Sequence, residues 1–192
     1  MSEVQRATIP GTDAAHPDGQ YTVVAKWFHW ITVGLMAIAL PMGVVIKHIK
    51  DSDKMAFYAI HESVGLTIFL VAVARLAWRL THPPPPHPAH LPAPLAFVAE
   101  TVHRLLYAAL ILQPVLGFLA TNAFGFPMQG QTAYLGLIDL PKFMEANTAI
   151  AEPLMTAHRV LGYTIMLLLA AHVGGALFHH VVRRDGTLMR MI

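Results

Sequence analysis

The sequence predicts an all-α integral membrane protein, a bundle of four spanning helices, and three observations carry that prediction. Of its 192 residues, 55% are hydrophobic and only 12% are charged, whereas soluble domains carry about a quarter charged residues. The apolar residues gather into four runs near the roughly 20 helical residues that a hydrocarbon core requires. Several histidines lie inside those runs, where an ionisable side chain is costly and points to function.

Residues 1–20 are polar and rich in Pro, Gly, Asp and Thr, the composition of a flexible tail. No basic stretch followed by an apolar run opens the chain, so no cleaved signal peptide is expected. Residues 21–192 form the membrane domain. Its spans are predicted at about 27–46, 57–80, 95–120 and 154–182. Backbone polar groups in lipid must be satisfied within the segment, which makes each span a helix. Pro41 and Pro114 fall inside spans, where each removes one helical hydrogen bond and favours a kink. Between the second and third spans, THPPPPHPAHLPAP (81–94) reads as a stiff polyproline-type connector. Residues 122–152 form a longer connection, with Phe124, Phe126 and Phe143 suited to lie on the membrane surface and cover a site.

The loops assign an orientation. Arg6, Lys26, Arg75, Arg79, Arg104, Arg183, Arg184 and Arg190 fall on the side of the termini, against Lys47, Lys50, Lys54, Lys142 and Arg159 on the other. Eight basic residues against five predict both termini in the cytoplasm. Trp27, Trp30 and Trp78 belong to the aromatic belt at that boundary. The net charge of +2 gives no electrostatic support for a nucleic-acid partner. The absence of cysteine excludes disulfides, cysteine-ligated iron–sulfur clusters and covalent haem attachment.

Histidine is the abundant metal-ligating side chain, with twelve copies. His158 and His172 are fourteen residues apart on the fourth span, which is nearly four turns and a rise of roughly 21 Å. Both therefore face one side of the helix at two membrane depths, as two haems stacked across a bilayer require. His61, near the outer end of the second span, matches the depth of His158, and His29 on the first span meets His172. His103 on the third span is the rival to His29 as inner ligand. His61 and His158 each open His-x-x-x-Gly-x-Thr. That motif puts Gly65 and Gly162 one turn on, where a missing side chain admits a flat macrocycle; close helix packing is the competing explanation. Arg75 lies fourteen residues after His61, on the same face at the inner depth, suited to a haem propionate or a quinone. Arg79 follows one turn later, and both also serve as positive-inside anchors. Glu62 and Arg159 each follow an outer ligand and are candidates for an ion pair. His16, His48, His82, His87 and His90 fall in tails or loops and read as solvated, and His179 and His180 face the inner interface.

At WFHW (27–30), HESVGL (61–66), RLAWRL (75–80), HRLLYAALILQPVLG (103–117), HRVLGY (158–163) and AAHVGGALFHH followed by RRDGTLMRM, the chain resembles the bacterial cytochrome b561 family. These are four-helix di-haem membrane cytochromes, and the resemblance spans about residues 20–192. It implies two b haems per chain held by His29, His61, His158 and His172, and electron transfer between the quinone pool and a one-electron partner. It also implies a place in the bacterial inner membrane. One branch exchanges electrons between superoxide and quinone. Other relatives serve as haem-bearing anchors of hydrogenases or dehydrogenases, which would bring a partner protein. A membrane protein whose histidines handle ions is the reading from a different class, and it predicts no haem absorbance. It is disfavoured because no inverted repeat or broken-helix motif is evident.

Overall fold

The computed structural model describes residues 19–87 and 91–192. Residues 1–18 of the expected tail (1–20), His16 among them, and His90 lie outside the described residues. Four long helices follow in order: α1 (Val23–Val45), α2 (Asp51–Thr81), α3 (Ala93–Ala123) and α4 (Thr148–Leu177). α4 continues as a π-helical turn, Phe178–Arg183. All four are long and apolar enough to cross a membrane. The end at which α1 begins and α4 finishes is the terminal side, and the opposite end is the loop side.

Local chemistry sets the helix ends. Thr22 caps α1 by accepting the Ala25 amide at 3.3 Å. Prolines open α3, with Pro92 at the N-cap and Pro94 just inside, where the missing amide costs nothing. α2 starts at Asp51, with Asp51 and Asp53 in its first turn, favourably placed against the positive end of the helix dipole. α4 starts at Thr148 and runs through Pro153, so it is longer on the loop side than the apolar run alone indicates. Pro41 and Pro114 sit inside α1 and α3.

α1 packs on α2, α2 on α3 and α3 most extensively on α4, while α1 and α4 meet only sparsely. The buried core is thin for helices of this length: Met36, Ala39, Ile68, Ala72, Ala109, Leu110 and Ile165. Met36, Ile68, Leu110 and Ile165 each lie seven residues from a histidine of their own helix. Two turns is about 10 Å, so this apolar layer separates the two histidine levels.

The connection 124–147 folds back onto α2. The Leu135 amide donates to Ser63 Oγ at 3.0 Å, and the Tyr134 and Thr67 hydroxyls meet at 3.1 Å. Phe126, Leu137, Ile138 and Phe143 remain exposed, an apolar fringe suited to the membrane surface.

On the terminal side the last residues return to α1. Tyr21 N donates to Arg190 O at 3.1 Å, the Trp30 indole to Met191 O at 3.0 Å, and Lys26 Nζ to Ile192 O at 2.6 Å. Arg190 also reaches Pro86 O of the proline connector at 2.7 Å. Asp185, its side chain only 4% exposed, organises this turn by accepting from His179 at 2.6 Å, Arg183 at 3.0 Å and the Thr187 amide at 3.1 Å. Burial opposes ionisation of Asp185, but the hydrogen bonds from Thr187, His179 and Arg183 outweigh it and hold the carboxyl well below the usual carboxylate range. A depressed folded-state value stabilises the ionised form. The contribution is therefore complete above the ordinary carboxylate range and is lost only as pH falls through the lowered value. Asp185→Asn is expected to release the C-terminal return at neutral pH, read as faster limited proteolysis after Arg183, with the four helices intact by circular dichroism.

Candidate functional site

Two histidine pairs bridge helices that hardly touch otherwise. On the loop side His61 of α2 faces His158 of α4, with ring centres 6.1 Å apart and planes at 83°. On the terminal side His29 of α1 faces His172 of α4, also with ring centres 6.1 Å apart, planes at 62°. A metal–imidazole bond of about 2 Å, plus about 1 Å from nitrogen to ring centre, puts two rings sharing one metal about 6 Å apart. Both pairs have that separation. His103 stands beside His172 at a shorter 5.0 Å.

The loop-side rings are held in one orientation. His61 Nδ1 donates to Ala39 O of α1 at 3.0 Å, and His158 Nδ1 donates to Gln113 O of α3 at 2.9 Å. A carbonyl only accepts, so each Nδ1 carries the proton and each Nε2 keeps its lone pair, the arrangement found behind metal-ligating histidines. Each acceptor is followed four residues later by a glycine against which the ring rests. A Cβ at Gly43 would meet His61 Cε1 at 3.1 Å, and one at Gly117 would meet His158 Cε1 at 2.9 Å.

Gly65 has open space where its Cβ would be and lines a small cavity with His61, Ile68, Gln113, His158 and Ile165. The expectation for Gly162 differs from the structure, because its missing Cβ faces Gln113 Nε2 at 3.2 Å and so makes room for that amide. Gln113 Nε2 lies 3.3 Å from His158 Nε2, and its Oε1 is buried without a hydrogen-bond partner. An orphaned polar atom at the edge of the slot marks a place built for a further group.

The terminal-side pair has a different setting. Arg75 Nη2 is 3.4 Å from His29 Nδ1, at the level of the terminal-side pair. Arg75 and Arg79 both stack on Tyr107, at 5.1 and 5.5 Å from its ring centre. Among the described residues neither arginine has a carboxylate partner. Glu62 and Arg159 do not form the expected ion pair, and Glu62 Oε2 is buried without a hydrogen-bond partner.

Among the described residues no group of three or more His, Asp or Glu side chains converges to hold a bare ion. Paired histidines facing each other suit a metal that brings its own equatorial ligands, and a b haem needs two axial donors and a flat slot. The facing donors of both pairs fit that group, and on the loop side the free Nε2 atoms and the glycine faces fit it as well. Gly43, Gly117, Tyr107 and Gln113 escaped the sequence reading. The available signal was a mid-span proline followed within three residues by glycine, Pro41–Gly43 and Pro114–Gly117.

The model of the prokaryotic cytochrome b561 family matches residues 20–192. Cytochrome b561 homolog 2 of Escherichia coli K12 is 28% identical over 176 residues, covering 90% of this chain and 91% of the relative. A probable superoxide oxidase, CybB, of Yersinia pestis is 27% identical over 174 residues, covering 90% of this chain and 96% of the relative. Cytochrome b562 of Cereibacter sphaeroides is 26% identical over 178 residues, covering 90% and 94%.

Proposed function

The chain belongs to the prokaryotic cytochrome b561 family, and from that premise we propose that it holds two b haems and exchanges electrons between quinone and a one-electron partner. The observation that carries this reading is the pair of equal 6.1 Å histidine separations at two levels of one helical bundle. His61 and His158 would hold the loop-side haem, and His29 and His172 the terminal-side one. The 6.1 Å spacing supports His29 over His103, which stands nearer to His172 than two rings on one metal require.

When bound between paired histidines, the haems would supply one-electron redox chemistry, with outer-sphere transfer favoured over substrate binding at the metal. The chain's own residues do the rest. Ala39 O and Gln113 O fix the tautomer and orientation of the loop-side ligands. The apolar layer around Ile165 keeps water from the space between the levels. Arg79 is a charge partner for a propionate, Arg75 stands beside His29, and His103 lines the terminal-side site. Both termini lie in the cytoplasm of a bacterial inner membrane, as the basic-residue bias supports.

Superoxide as the one-electron donor draws its support from the likeness to the Yersinia pestis relative. The purified protein, supplied with enzymatically generated superoxide, is expected to show haem reduction and to pass the electrons to added ubiquinone. Haem reduced by quinol yet inert to superoxide would remove superoxide and keep the quinone link. No reaction with either would remove the proposed exchange.

A further inference from the structure

The two histidine pairs match in spacing but differ in what stands behind them, and that difference bears on electron flow. On the loop side both Nδ1–H groups donate to backbone carbonyls, Ala39 O at 3.0 Å and Gln113 O at 2.9 Å. An acceptor behind a ligating imidazole makes it more electron-rich, which favours the oxidised metal. On the terminal side the neighbour of His29 is a cation, Arg75, at 3.4 Å. A guanidinium only donates and is always charged. It cannot accept a proton from a ligating imidazole. It therefore acts there as a fixed positive charge, which favours the reduced, less positive metal.

The surroundings increase the contrast. Arg75 and Arg79 are half-buried, are stacked on Tyr107, and have no carboxylate partner among the described residues. Stacking on Tyr107 holds the Arg75 charge in place beside His29. Two loop-side cations are exposed: Lys47, whose ammonium bonds Tyr163 Oη at 3.0 Å, and Arg159. Solvent and salt screen such charges. The acidic Glu62, next to His61 in the chain, has a carboxyl oxygen buried without a hydrogen-bond partner.

We infer that Arg75, oriented by Tyr107, sets the terminal-side centre at a higher reduction potential than the loop-side centre, so electrons run from the loop end to the end carrying the termini. In that transfer one electron leaves the loop-side centre, which is oxidised, and reduces the terminal-side centre. A one-electron donor therefore delivers at the loop end, and the acceptor withdraws at the terminal end. Arg75 and Tyr107 are positioning residues in this account, since neither is an axial ligand. The inference rests on the di-haem reading.

The test is a spectroelectrochemical titration of the haem-loaded, full-length protein. Wild type is expected to give two one-electron waves. His61→Ala, which removes the loop-side ligand, is expected to keep the higher wave. Arg75→Gln is expected to lower that higher wave by at least tenfold in the exchange equilibrium, about 59 mV for one electron, with the lower wave unmoved. Arg75→Lys keeps the charge and is expected to shift it less, and Tyr107→Leu is expected to shift it in the same direction as Arg75→Gln. Survival of the lower wave in His61→Ala would overturn the inference, as would an equal shift of both waves in Arg75→Gln. A wild-type protein lacking two haems would overturn the di-haem reading itself, an outcome visible before any variant is made. Where Arg75→Gln fails to assemble, the order of the waves in wild type and His61→Ala still decides.

Discussion

Replacing His158 by alanine is expected to leave the purified protein with about half its haem, the terminal-side centre retained and the loop-side centre lost. His158 Nδ1 is committed to Gln113 O, and its ring faces that of His61 with ring centres 6.1 Å apart. No other described histidine ring stands opposite His61 to take its place. His61→Ala should reproduce the loss, and His172→Ala should remove the other centre. His48→Ala and His180→Ala, which change histidines outside both pairs, should retain both. Pyridine haemochrome analysis against protein concentration reads all five. Full haem in His158→Ala would remove it from the ligand set.

A glycine substitution should act nearly as strongly without touching a ligand. A Cβ at Gly117 would lie 2.9 Å from His158 Cε1 and 3.0 Å from Nδ1, closer than carbon and nitrogen tolerate. The ring cannot retreat without giving up its bond to Gln113 O. Gly117→Val is therefore expected to cost about 1–3 kcal/mol in overpacking and to deplete the loop-side haem, while the terminal-side spectrum persists. Gly43→Ala, whose Cβ would meet His61 at 3.1 Å, should show the same defect in milder form. Gly65→Ala, with open space at that position, should leave the helices stable and report only on how closely the cofactor approaches α2. A Gly117→Val protein with both haems at wild-type levels would show that the ring does not rest on α3 as described.

The spans and histidine levels were legible because lipid imposes strict patterns. Apolar runs of fixed length mark helices, and a fourteen-residue interval puts His158 and His172 on one face. Helix ends were less legible where the chain leaves the lipid. The first turns of α2, Asp51–Lys54, are polar, and α4 starts ahead of Pro153, so hydropathy alone places both starts too late. The second layer of the site depends on contacts between helices, which a single sequence does not display. Gly65 and Gly162 occupy equivalent motif positions, yet one faces the cavity and the other makes room for Gln113. The same limit hid Gly43, Gly117 and Tyr107. Their roles come from which helix lies opposite. Arg75 stood out because its interval from His61 repeats the fourteen residues that separate His158 and His172 on α4.

The most direct test of the account is a dithionite-reduced minus oxidised spectrum of the purified wild-type protein, with pyridine haemochrome quantitation of haem per chain. The account predicts two low-spin b haems per chain. A protein that purifies folded and carries no haem, or only one, contradicts it.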